Sequence, residues 1–216
     1  VAALHGVDAV VFPELYLSGG ALRPLDRESY ELNIVGNICG DVNVACIIGY
    51  AEKAHASEVD GSGDPEGDPG AYNAIAAFHA DGTRAGNYRS VSTYAHADTF
   101  RKGHPCVELM PTTLRLPNRQ TPAEDPREIK AGLLCGSDVL SPEQSRYLVR
   151  SGAQALFAPS SLRNNDRDRR TAQYVAPSRA MENRVPFVFA NMERAAEAVA
   201  GGAEFIGSSA IVSPEG

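Results

Sequence analysis

Short apolar runs of strand length alternate along this chain with stretches in which apolar residues recur at helical spacing. Ala9 to Phe12 and Val42 to Tyr50 are continuous runs rich in valine and isoleucine, the pattern of strands covered on both faces. Between them, Pro24 to Gly36 interleaves Leu25, Tyr30, Leu32 and Ile34 with charged residues and predicts a helix. Ala71 to His79 and Arg84 to Tyr88 flank Ala80-Asp81-Gly82-Thr83, and an Asp-Gly pair between two such runs predicts a hairpin. Leu114-Arg115-Leu116 predicts one short strand within a proline-rich excursion, and Ile129 to Leu134 predicts another strand. Ser141-Pro142-Glu143 then opens a helix, with serine as its cap and proline at its first position. Tyr147, Leu148 and Ala153 supply its apolar stripe, and Gly152 closes it. Ala155 to Ala158 and Pro186 to Asn191 read as strands around a helix from Thr171 to Arg184, with Tyr174, Val175, Ala180 and Met181 turned inward. Strands alternating with helices predict an α/β layered domain.

The candidate chemistry centres on Cys135. An apolar run delivers it to Gly136-Ser137-Asp138, just before the helix at Pro142. Backbone N–H groups and the helix dipole at such a place lower a thiol pKa, whereas a free cysteine without that context is most often a core residue. A second candidate is Glu14, which follows the first strand within Phe12-Pro13-Glu14-Leu15-Tyr16. Strand ends and the loops after them are where active sites are built.

These two blocks, followed in order by Ser178-Arg179-Ala180-Met181-Glu182-Asn183, Phe189-Ala190-Asn191 and Gly207-Ser208-Ser209, resemble the nitrilase superfamily of carbon-nitrogen hydrolases over nearly the whole chain. The resemblance implies a four-layer αββα sandwich, two mixed sheets face to face with helices outside, formed by residues 1–216 as one domain. It also implies assembly into a homodimer or higher homo-oligomer. The reaction implied is hydrolysis of a small amide, nitrile or N-carbamoyl compound, with Cys135 as nucleophile and Glu14 as general base. A thioester or thioimidate forms first and water then releases it, without a cofactor or a metal. The family implies further strands and helix before Ala2 to Asp8 and after Pro214-Glu215-Gly216, so elements at both ends are expected to lie outside this sequence.

Three departures bear on activity. The family lysine follows a Tyr-Arg pair, and here Tyr88-Arg89 is followed by Ser90, so Arg89 or Lys102 would have to substitute from elsewhere in space. The second acidic position falls near Asp98, one methylene shorter than the usual glutamate. Gly136 and Ser137 separate Cys135 from Asp138, where the family has one residue. Two readings stay open: a divergent hydrolase, and a catalytically impaired relative whose pocket binds a ligand or whose surface assembles with partners. Ser90→Lys is expected to raise turnover if the rest of the pocket is intact.

Composition narrows the remaining classes. The chain has 216 residues, 43% hydrophobic and 22% charged, as expected for a globular domain. A net charge of −7 with no basic stripe argues against nucleic acid. The arginines from Arg163 to Arg170 alternate with Asp166 and Asp168. They read as a locally paired loop, with Arg163 the candidate for a substrate carboxylate because guanidinium binds such groups bidentately. Cys39, Cys46, Cys106 and the histidines show no metal-ligand spacing. No apolar run is long enough to span a membrane, and a nucleophilic thiol favours a reducing compartment, so cytoplasm is the expected location. Glu143 is expected either to brace the cysteine turn or to complement the helix start, and Glu182 and Asn183 to pair and cap buried backbone.

Overall fold

The computed structural model describes residues 6–19, 23–55, 70–92, 99–120, 125–193 and 205–216. Its strands form two mixed sheets. The first runs β1 (Ala9–Val11), β2 (Ala45–Lys53), β3 (Ala71–Phe78), β4 (Arg84–Arg89) in that spatial order. Within it β1 and β2 are parallel and the other pairs antiparallel. The second runs β5 (Thr112–Leu116), β6 (Arg127–Leu133), β7 (Ala155–Ser160), β8 (Phe187–Asn191), β9 (Ala210–Val212). Its centre, β6 to β8, is parallel, and β5 and β9 flank it antiparallel.

The apolar runs are continuous because each strand is covered twice. Successive side chains on a strand point to opposite faces, and in β2 and β3 the two sets part company. Ala45, Ile47, Ile75 and Ala77 join Leu114, Ala131, Leu133 and Phe157 in the core between the sheets. Cys46, Ile48, Tyr50, Ala74, Ala76 and Phe78 pack instead with Leu32 and Cys39 of α1 (Tyr30–Val42). The short helix α2 (Pro105–Glu108) leads into β5, and on the second sheet the outward face of β6 lies against α3 (Pro142–Arg150): a Cβ added at Gly132 would meet Leu148 and Ala153. The layers are therefore helix, sheet, sheet, helix, as the resemblance implied. Ile47 and Ile75 are wholly buried, a contribution of about 1.5–3 kcal/mol each relative to exposure.

A buried ion cluster ties the first sheet together. Glu52 of β2 is inaccessible to solvent. It accepts from Arg89 Nη2 at 2.6 Å, Arg27 Nε at 2.5 Å, Asn87 Nδ2 at 2.7 Å and the Tyr50 hydroxyl at 3.2 Å. Burial works against its charge, but Arg89 and Arg27 outweigh that and hold the carboxyl below its ordinary range.

Several boundaries differ from the sequence reading for local reasons. The first helix begins at Tyr30, where the Ser29 hydroxyl accepts from Leu32 N, and runs to Val42, so β2 starts at Ala45. The helix expected from Thr171 starts earlier, as α4 (Asp166–Arg170), passes through a π segment at 171–175 and ends as α5 (Ala176–Asn183). Pro177, in the first turn of α5, has no N–H for an i→i−4 bond, and a π bulge accommodates the lost partner. That altered winding leaves Tyr174 and Met181 exposed rather than inward. The Ser141 hydroxyl bonds the Glu143 carboxylate at 2.9 Å rather than capping a backbone N–H.

Candidate active site

Glu14 is fixed by the way its loop lies on β2. Phe12 N donates to Ile47 O at 2.8 Å and Gly49 N to Pro13 O at 3.2 Å. A Cβ at Gly49 would collide with Pro13 O and Glu14 Cα, so only glycine lets the two backbones approach this closely. Leu15 then takes a left-handed conformation, φ 55°, and the chain doubles back with the Glu14 side chain buried.

Cys135 arrives from the second sheet. β6 ends at Leu133, Leu134 N donates to Phe157 O at 3.0 Å, and a 3₁₀ turn follows at Gly136–Leu140. Cys135 itself is extended and fully buried. Gly136 sits at φ +52°, and a Cβ there would intrude on the Glu14 carboxylate. Gly136→Ala is therefore expected to cost about 1–2 kcal/mol from backbone strain alone, with the carboxylate displaced as well. Urea denaturation of the variant measures the first effect and the reactivity of Cys135 the second.

The two residues meet through Asn73, near the start of β3. The Cys135 thiol donates to Asn73 Oδ1 at 3.1 Å, and Asn73 Nδ2 donates to Glu14 Oε1 at 2.5 Å. Ser161, just past β7, donates to Glu14 Oε2 at 2.6 Å. Behind the thiol lies a second, wholly buried carboxyl, Asp138. Its Oδ2 accepts from Cys135 N at 2.9 Å and from the Tyr88 hydroxyl at 2.7 Å. Its Oδ1 accepts from Ser92 N at 2.8 Å, with the Ser90 hydroxyl at 3.1 Å.

Electrostatics at the thiol run opposite to the sequence expectation. Burial first, then the charges of Glu14 and Asp138, push Cys135 well above the ordinary thiol range. The helix that was expected to depress it begins only at Pro142, and the Cys135 N–H is turned to Asp138. Asp138 is itself pushed up to about 7 by burial, against the hydrogen bonds from Tyr88, Cys135, Ser92 and Ser90. Tyr88 is raised by burial and by Asp138.

Ser90 fills its position with a buried hydroxyl aimed at Asp138, so an ammonium introduced by Ser90→Lys would reach Asp138 first. Neither proposed substitute for the lysine is offered by this geometry. The Arg89 guanidinium binds Glu52 and lies 3.8 Å over the Tyr72 ring, and Lys102 is exposed. Asp98 lies outside the described residues. Arg163 is exposed; its backbone N–H donates to Asp168 Oδ2 at 2.8 Å, and the stretch read as a loop is helical from Asp166 to Arg170, as α4, because Asn165 caps it by accepting from Asp168 N. Glu143 is exposed and held low by hydrogen bonds from its own backbone N–H and from Ser141. Arg179 donates to the Val139 and Leu140 carbonyls at 2.9 and 3.2 Å and is braced by Glu182 at 2.8 Å, while Asn183 bonds the Arg179 carbonyl at 2.8 Å. This is the pairing and capping expected of Glu182 and Asn183.

The sequence reading missed Asn73 and Ser161. An asparagine inside the apolar run Ala71 to Phe78 was a usable signal, since a polar group on a strand buried on both faces needs partners. Ser161 carried none. Among the described residues no three His, Cys, Asp or Glu side chains are grouped to hold a metal, and no helix is long and apolar enough to cross a membrane.

This chain is similar to known proteins in sequence and, separately, in fold. A Pseudomonas protegens protein named as the hydrolase in the pqqF 5' region is 27% identical over 222 residues, 97% of this chain and 65% of that protein. The chain thus spans just under two thirds of that relative. The crystal structure of an amidase from Nesterenkonia sp. matches over 99% of this chain and 72% of its own, with TM-score 0.73 and 21% identity. A glutamate-to-glutamine mutant of the Nesterenkonia sp. AN1 amidase, with the acetamide moiety of fluoroacetamide added covalently at its active-site cysteine, matches equally (TM-score 0.73, 21% identity, 99% of this chain and 72% of that one). A mutant in complex with butyramide gives 0.72 at 22%, over 99% of this chain and 73% of that one. The carbon-nitrogen hydrolase model matches residues 1–216, and on that match the chain belongs to the carbon-nitrogen hydrolase family, the nitrilase superfamily.

Proposed function

We propose that this chain hydrolyses the carbon-nitrogen bond of a small amide, nitrile or N-carbamoyl compound through a covalent intermediate on Cys135. The observation that carries the reading is the side-chain chain Cys135–Asn73–Glu14–Ser161, built where strand ends of both sheets converge. Because burial and neighbouring charge keep the sulfur protonated, attack requires a base to take the thiol proton. Glu14 is that base, its two oxygens oriented by Asn73 and Ser161. The sulfur adds to the substrate carbon as the proton passes to Glu14. From an amide or N-carbamoyl compound the C–N bond then breaks as Glu14 returns that proton to the departing nitrogen, leaving a thioester; a nitrile takes the proton as a thioimidate, from which one water releases ammonia to leave the same thioester. Water attacks the thioester, giving one proton to Glu14 and then to the sulfur. The Cys135 N–H is committed to Asp138, so the oxyanion is left to the N–H groups of Gly136 and Ser137, which precede the first i→i+3 bond of the turn.

Ser90 and the raised thiol favour a second reading, a family member that binds such compounds without turning them over. A panel of small amides, nitriles and N-carbamoyl compounds separates the two. Release of ammonia or amine, with an acyl mass on the peptide bearing Cys135, is expected. Calorimetric binding with neither release nor adduct would establish the second reading. The homo-oligomer implied by the family belongs to this proposal too, supported by Tyr147 and Met181, exposed on the contacting helices α3 and α5.

A further inference from the structure

The position at which the family carries a lysine is here part of a buried proton site. We infer that Asp138 is a positioning residue for Cys135 and that Ser90 leaves it free to take up a proton, so the site sheds a negative charge instead of importing a positive one. This rests on the reading of Cys135 as the nucleophile.

The geometry sustains two proton arrangements with the same heavy-atom positions. The donors from Cys135 and Ser92 are backbone N–H groups and cannot reverse. The Ser90 hydroxyl can: its oxygen lies 3.1 Å from Asp138 Oδ1 and 2.9 Å from the Ser92 carbonyl, and it has one hydrogen. With that hydrogen on Asp138, the carboxylate is ionised and holds four donors. With it on the Ser92 carbonyl, the serine oxygen presents a lone pair to Oδ1, and the contact is favourable when Asp138 carries the proton.

The consequence reaches the sulfur. An ionised Asp138 opposes a thiolate at Cys135, and burial has already brought the carboxyl up to about 7. Neutralising it removes one of the two negative charges that face the thiol. The Cys135 N–H bond to it then changes from charge-assisted to neutral. Other charged or titratable groups around the turn are Glu14 on the thiol side, Tyr88 from β4 with Glu108 behind it, and Arg179 of α5 on the Val139 and Leu140 carbonyls. Glu143 of α3 stays in solvent. A lysine at 90 would pin Asp138 in its ionised state.

The test is a ¹³C NMR titration of aspartate carboxyls in the full folded chain, with Asp138→Asn, or Tyr88→Phe if that variant does not fold, assigning the signal. One carboxyl is expected to titrate about three pH units above the ordinary aspartate value near 3.9. Ser90→Ala and Tyr88→Phe each delete a donor to the anion and are expected to raise that midpoint by about half a unit or more. Ser90→Lys supplies a cation and is expected to lower it. The pH profile of iodoacetamide alkylation at Cys135, read by mass spectrometry, is expected to break at the same midpoint in each variant. An Asp138 that titrates with the surface aspartates, midpoints that move the same way for alanine and lysine, or an alkylation profile indifferent to them would overturn the inference. None of these readouts needs turnover, so a chain inert towards every amide would sink the hydrolase reading and leave this one standing or falling by itself.

Discussion

Cys135→Ala is expected to lower turnover of any accepted amide by about four orders of magnitude or more, because the hydroxyls left in the site, such as that of Ser161, are far weaker nucleophiles than the thiol they would replace. The residue is fully buried and part of the core between the sheets. Loss of one sulfur there costs about 1 kcal/mol of packing, too little to unfold a domain of this size. The variant should therefore fold, keep a urea midpoint near that of the parent and lose both product release and the acyl mass. An activity surviving the substitution would place the chemistry on another residue.

Glu14→Gln is the second large effect, a loss of about 10²–10⁴-fold in kcat/KM. Glutamine preserves the shape. Its oxygen can still accept from Asn73 and its NH₂ can face the Ser161 hydroxyl, which turns to accept. Binding should thus persist while proton transfer fails. The rate of acyl-adduct formation on Cys135 should fall with the steady-state rate. If the adduct formed at the parental rate and only its hydrolysis slowed, Glu14 would serve the water step alone.

Much of this was written into the chain and some was not. The Asp81-Gly82 turn and its flanking runs gave the β3–β4 hairpin nearly to the residue, because an Asp-Gly pair between apolar strands has few other solutions. The placing of Cys135 at a strand end followed from an apolar run halted by Gly136. Periodicity could not announce two sheets: it reports that β2 and β3 are covered on both faces, not that α1 covers one and a second sheet the other. Asn73 and Ser161 converge on Glu14 from positions 59 and 147 residues away, a meeting that depends on strand registers no local pattern encodes. The direction of the charge effect on Cys135 was misread for a related reason. A helix start was visible in the sequence, and so were Glu14 and Asp138, but how deeply the fold buries the thiol between those two carboxyls was not.

Glu14 and Asn73 belong to the first sheet, and Cys135 and Ser161 to the second. The distance over which the proton must travel is therefore set by how far apart two slabs of side chains hold each other. Trimming a spacer such as Ile47 or Leu133 would let the slabs settle closer and detune the reaction while the molecule still melted as one piece. Selection for activity in such a protein acts on the thickness of its interior as well as on the residues that touch substrate.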